Sequence, residues 1–212
     1  MQRKRLNLAK DKPRVSRSRF WQKLLMCLLT TQQKSGPGSQ INRCLRQRSF
    51  PLTYSRVKRS KDPRRLALRE LKRWPGIRRV PTIARQIESN LQHLEDGNWK
   101  RLLREVNSLR GRADAEKERA VAAILASELE GLGPKQSRNL LQALGLTRYE
   151  VPIDSRLVKW LNEFGFPFKL TAATLSSPDH FDLVSQGFQE LCRAAGAYPC
   201  VVDAAIFSSF DD

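Results

Sequence analysis

Apolar positions along this chain recur at steps of three and four residues and almost nowhere at steps of two. Phe20, Trp21, Leu24, Leu25, Leu28 and Leu29 fall on one side of a first helix, and Ile41–Leu45 resumes a second. Arg64 to Trp74 reads as a helix that Pro75-Gly76 stops. Ile83, Ile87, Leu91 and Leu94 mark the inner face of the next, Asn98 to Arg110 is amphipathic, and Asp114 to Glu130 turns Ala120, Ile124 and Leu125 inward. Helices follow from Lys135 to Leu144, from Asp154-Ser155 through Phe164, from Pro178 to Ala195 and from Val201 to Phe210. No segment of any length has strand period and no internal repeat occurs, so the pattern predicts an all-α fold.

The stretches between these helices are polar and basic. Residues 1–17 have no periodicity and read as a basic flexible arm; Lys34 to Ser39 and Ser55 to Arg65 read as loops, the latter reaching a helix start at Asp62-Pro63. The chain has 212 residues and a formal net charge of +18, from 39 Lys+Arg and 21 Asp+Glu. That charge is uneven. Residues 1–20 hold eight bases against Asp11, residues 41–81 hold fourteen against Asp62 and Glu70, and residues 160–212 reverse the sign. A field of this kind draws a polyanion, nucleic acid first, and sets a basic side against an acidic one.

The remaining composition narrows the classes. Cys27, Cys44, Cys192 and Cys200 lack the paired spacing of a four-thiolate site, and His93 and His180 stand alone, so no metal or iron–sulfur centre is expected. The apolar run Leu24 to Leu29 is too short for a membrane span of roughly 18 residues or more, and Thr30-Thr31-Gln32-Gln33 follows it where a signal peptide would carry small residues. A soluble, intracellular protein is expected.

Two segments carry candidate chemistry. In Glu130-Gly131-Leu132-Gly133-Pro134-Lys135 two helices meet in a hairpin too tight for side chains, and Pro134 starts the second helix with a preset φ. The outward N–H groups and positive dipole end of such a helix form a seat for a phosphate, which they grip without reading bases. By itself the hairpin is also an ordinary helix–helix turn. In the second segment, Val151-Pro152-Ile153 is an apolar extended strand that delivers Asp154 to the start of a helix, where it also suits an N-cap.

Together the two segments resemble the helix–hairpin–helix, Gly/Pro-rich loop and aspartate signature of base-excision DNA glycosylases (the HhH-GPD superfamily). Lys135 and Asp154 are 19 residues apart, as in the 8-oxoguanine glycosylase/lyase branch, and Val-Pro-Ile-Asp is similar to the tetrapeptide ending in that branch's aspartate. Leu28-Leu29-Thr30-Thr31-Gln32-Gln33 looks like the family's early helix end, from which an amide enters the gap left by an extruded base. The likeness spans residues 20–212, is most specific over 129–161 and is weak over 45–110.

The resemblance implies a two-lobed helical fold. One lobe is a helical barrel over 28–148 carrying the hairpin at about 114–145, and the other joins 18–27 to 149–212. It implies a bifunctional glycosylase/AP lyase in which Lys135 attacks the sugar C1′ and Asp154 stabilises the cationic sugar and shuttles protons. An attacking lysine must be neutral, and a water-poor cleft, a helix start and neighbouring cations all disfavour an ammonium. Gly131, Gly133, Lys34 and Arg156 would hold the DNA backbone, helped by bases of the 43–79 stretch. Gln32 and Gln33 would be wedge residues, with Trp21, Trp160 and Phe207 at the base pocket. The partner implied is duplex DNA with a damaged base, 8-oxoguanine favoured, bound by a monomer in the nucleoid-containing cytoplasm or the nucleus. A monovalent cation at the hairpin carbonyls belongs to the family, whereas the four-cysteine iron–sulfur loop of endonuclease III is missing here. The alternatives are an oxidised-pyrimidine glycosylase/lyase and a non-catalytic helix–hairpin–helix DNA-binding module.

Overall fold

A computed structural model describes residues 6–33, 38–47, 50–111 and 113–210. Among these the secondary structure is all helical, with no strand. The helices are α1 (Arg17–Thr30), α2 (Gln40–Leu45), α3 (Tyr54–Lys58), α4 (Pro63–Lys72), α5 (Val80–His93), α6 (Trp99–Ser108), α7 (Ala115–Glu128), α8 (Pro134–Leu144), α9 (Ser155–Phe164), α10 (Pro178–Ala194) and α11 (Pro199–Ser209). Local chemistry sets several of their ends. Ser16, Asp62, Asp114 and Asp154 cap α1, α4, α7 and α9 through side-chain oxygens, and left-handed Gly145 and Gly165 close α8 and α9. The five-residue α3 falls in a stretch whose basic composition reads as a loop; so short a helix carries no periodic signal.

The apolar side chains form two buried clusters. The first runs from Val15 to Leu146 and takes in α1 and the helices of the hairpin; the second runs from Val151 to Ile206 and takes in α9 to α11. Residues 18–27, expected to join 149–212, pack instead in the first cluster. Phe20, Trp21, Leu24, Leu25 and Cys27 are all buried there, because α1 is a central helix lying against α8, α3 and α5.

The described part of the amino-terminal arm departs from its expectation too. Asn7, Lys12 and Val15 are buried. Asn7 Nδ2 donates to the carbonyl of Gln142 at 3.1 Å, and its Oδ1 accepts from Thr147 N at 2.9 Å. Arg110 Nε donates to the carbonyl of Lys12 at 2.7 Å. Residues 6–15 are therefore a docked strap, whose partners are more than ninety positions away in the chain.

Candidate active site

The hairpin between α7 and α8 is built from beneath. Asn90 on α5 clamps Glu130 on both sides, its Oδ1 accepting from Glu130 N at 2.8 Å and its Nδ2 donating to Glu130 O at 2.9 Å. Gly131 has φ +87°, and a Cβ there would lie 2.6 Å from Gln86 Nε2 and 2.7 Å from Leu28 Cδ2. Only glycine permits both the conformation and that approach. Gly133 differs: it is the N-cap of α8 at φ −92°, makes no side-chain cap, and a Cβ would meet nothing within 4 Å. What its missing side chain leaves is open space at a helix start, where a phosphate could come close to the backbone. Lys135 sits in that first turn, exposed, and its Nζ has no ion pair or hydrogen bond among the described residues.

Asp154 arrives from the other side. Val151 and Ile153 anchor in the second cluster, which fixes the extended segment. Asp154 Oδ1 accepts from Arg156 N at 2.9 Å and from Leu157 N at 3.1 Å, so the N-cap expected of it is present. Its Oδ2 has no protein donor among the described residues. One oxygen thus locks the carboxylate's orientation.

Lys135 and Asp154 line one cleft of about 1080 Å³, together with Gln32, Gln33, Arg78 and Arg156. Phe207 forms part of the wall, with the Arg156 guanidinium stacked 3.9 Å over its ring. Gln32 is exposed and held at φ +56°, a left-handed conformation rare for a residue with a side chain. Strain of that kind persists only where the surroundings impose it. They do so through Gln33, whose Nε2 donates to Leu29 O at 2.6 Å while its Oε1 accepts from Arg78 N at 2.7 Å. Gln136 Nε2 donates to Thr31 Oγ1 at 2.9 Å, tying the same turn to the helix of Lys135. Gln33 is accordingly a brace for the turn, and Gln32 is the amide left at its tip.

The two tryptophans lie elsewhere. Trp21 is buried in the first cluster, its Nε1 donating to Leu52 O at 3.0 Å beside Tyr54. Trp160 stacks on Phe164 and meets Phe188 edge-on against the second cluster. Neither lines the cleft, because each ring is taken by aromatic neighbours on its own side of the molecule. Lys34 lies outside the described residues.

A buried polar network that sequence reasoning missed joins the two catalytic candidates' elements. Glu150, fully buried four residues before Asp154, accepts from Arg138 Nε at 2.5 Å, Arg119 Nε at 3.1 Å and Gln189 Nε2 at 2.9 Å. Arg138, one turn beyond Lys135, also donates to Asp182 on α10 and lies over the Phe181 ring. Beside it Glu118 accepts from the backbone N–H of Arg148, Tyr149 and Glu150. Burial pushes the Glu118 carboxyl above the usual carboxylate range, against those three donors and the Thr147 hydroxyl. The available signal was only Glu118, which falls in phase with Val121, Ala122 and Leu125 on α7.

Other nucleophiles and ligands are poorly placed. Burial raises the thiols of Cys44 and Cys200 to about 11 and that of Cys192 to about 12, so none is a ready thiolate. No three His, Cys, Asp or Glu residues cluster among the described residues. A cation at the hairpin would depend on backbone carbonyls, and those of Leu129 and Glu130 already accept from Leu132 N and Asn90 Nδ2. No described helix is long and apolar enough to cross a membrane. Comparison of the chain with models of protein families, with curated proteins and with solved structures gives no match in any of the three.

Proposed function

We propose that this protein is a bifunctional DNA glycosylase and AP lyase of the helix–hairpin–helix type, with a two-lobed fold divided at the cleft of Lys135 and Asp154. The observation that carries the reading is that these two residues, placed 19 positions apart by separate backbone devices, line one cleft with the strained Gln32 and with Arg78 and Arg156. A cleft with an unpaired amine, an oriented carboxylate and a rim of cations suits a polyanionic sugar–phosphate substrate.

The chemistry follows from these groups. A damaged base leaves the stack, at a cost of a few kcal/mol that damage lowers, and Gln32 fills the gap. Nζ of Lys135, reacting through its lone pair once its proton is given up to solvent, bonds to C1′ as the glycosidic C1′–N bond breaks, whose electron pair leaves with the base, which takes up a proton. Asp154, held by its Oδ1, stabilises the cationic sugar and carries the amine proton to the ring oxygen as the sugar opens. The product is a protonated imine between Lys135 and C1′. Loss of a C2′ proton then expels the 3′ phosphate, and water hydrolyses the imine to free the lysine. The amide groups at the start of α8 and the Arg156 side chain hold the backbone in place.

The favoured lesion is 8-oxoguanine, acted on by a monomer wherever the cell keeps its DNA. Strand cleavage on matched duplexes holding 8-oxoguanine opposite cytosine, thymine glycol or an abasic site tests this. Cleavage at 8-oxoguanine is expected. Cleavage at thymine glycol alone keeps the mechanism and replaces the substrate, and binding with no cleavage of any duplex overturns the enzymatic reading.

A further inference from the structure

Helix α4 packs in the first apolar cluster and carries a charged outer face that does not line the cleft. Helix α4 buries Leu66, Ala67, Glu70 and Leu71. Directly opposite, at i, i+4 and i+7, stand Arg65, Arg69 and Lys72, all exposed, with Arg64 and Arg73 at their flanks. Single surface cations are ordinarily just solvated. This row has two further properties.

The first is an anchor beneath it. Glu70, 4% exposed, accepts from Arg56 of α3 at 2.8 Å and from Arg69 and Arg73 at 3.3 Å each. One buried carboxylate thus fixes Arg69 of the row together with Arg56 and Arg73, and neutralises only one of these three guanidinium charges. The second is continuity. Beyond α4 the chain turns through Gly76 to Arg78, and both of these residues line the cleft.

We propose that the outer face of α4 is a second duplex-binding surface, which holds the phosphate backbone of DNA flanking the nucleotide in the cleft. The inference rests on the DNA-directed reading of that cleft for the identity of its partner. Arg65 and Lys72 are seven residues apart, roughly 10 Å along a helix axis at about 1.5 Å per residue. Phosphates of one strand advance roughly 3.4 Å each along a duplex, so the row matches about three of them. The helix carries no aromatic side chain on which unpaired bases could stack, which fits a backbone grip on paired DNA over a single-strand platform.

The test compares the full chain with Arg65→Ala/Arg69→Ala/Lys72→Ala for binding to an undamaged duplex over a range of salt. The three positions are exposed and Glu70 keeps Arg56 and Arg73 in the variant, so its thermal midpoint, measured beside the titration, is expected within a few degrees of the parent's. Loss of three phosphate contacts makes the slope of log affinity against log salt shallower by about 2.7. A control, Lys100→Ala/Arg104→Ala/Lys117→Ala, removes equal charge from exposed positions on α6 and α7 and leaves the slope unchanged. An unaltered slope in the first variant overturns the proposal. So does an equal loss in the control, or a loss seen on single-stranded RNA and absent on the duplex. Because undamaged DNA is the probe, the result is independent of whether Lys135 forms an imine, which the wild-type chain answers separately on lesion DNA.

Discussion

Arg138 Nε donates to Glu150 Oε2 across 2.5 Å, and with both side chains buried this pair ties the helix of Lys135 to the extended segment that ends at Asp154. The first residue lies one turn past the lysine and the second four residues before the aspartate, so the pair sets the register of one candidate against the other. Removing Glu150 leaves Arg138 with Asp182 as its carboxylate partner and strips Arg119 and Gln189 of their buried acceptor. Glu150→Ala is expected to lower the unfolding free energy by about 3–5 kcal/mol, and Arg138→Met with Glu150→Leu to lower it by much less than the sum of the single changes. Urea denaturation of the four proteins in the double-mutant cycle measures both.

The two hairpin glycines are expected to separate stability from binding. Gly131→Ala forces a Cβ against Gln86 and Leu28 at φ +87° and should destabilise by about 1–3 kcal/mol. Gly133→Ala meets nothing within 4 Å and should leave the thermal midpoint almost unchanged, while weakening duplex binding by crowding the start of α8. Paired thermal melts and duplex titrations check the contrast. Equal effects of the two changes on both readouts would show that Gly133 has no role at the DNA backbone.

Gln32 and Gln33 should likewise part company. Gln32→Gly relieves a left-handed φ of +56° and is expected to raise stability by about 0.5–1 kcal/mol while slowing base excision. Gln33→Ala deprives Arg78 N of its acceptor and Leu29 O of its donor, and should lower stability by about 1 kcal/mol. The readouts are thermal melts and single-turnover excision.

Acid sensitivity has a local source in Glu95. Burial works to raise its pKa, yet hydrogen bonds from Lys58, Tyr54 and Trp99 hold the carboxyl at about 2. A depressed carboxylate contributes stability above its unfolded value, near 4.3, and loses that contribution as pH falls toward 2. The melting temperature of Glu95→Gln should therefore approach that of the wild type between pH 4.5 and about 2 and fall short of it at neutral pH. A constant difference across that range would remove Glu95 from the acid transition.

What the sequence reveals and conceals here has a physical pattern. Lys135 and Asp154 are legible because each is placed by its own short stretch: a Gly/Pro turn before one, an apolar extended segment leading to an N-cap position for the other. Choosing between Gln32 and Gln33 requires knowing that Arg78 N, 45 residues away, takes one of the two amides. The same holds for Trp21 and Trp160, whose rings are claimed by Tyr54 and by Phe164 and Phe188, and for the strap of Asn7 and Lys12, docked through partners at 135 and 98 residues' distance. Composition marks 6–15 as polar and basic but contains nothing of the buried groove that receives it.

In the proposed reaction the amine of Lys135 becomes covalently joined to the sugar of a damaged nucleotide. Borohydride reduction during reaction with an 8-oxoguanine duplex, using wild type, Lys135→Gln and Asp154→Asn, tests it most directly. A stable protein–DNA adduct that maps to the peptide containing Lys135 is expected with wild type, little adduct with Asp154→Asn, and none with Lys135→Gln despite retained duplex binding. An adduct of undiminished yield in Lys135→Gln, or none with wild type on lesion and abasic duplexes alike, would contradict it.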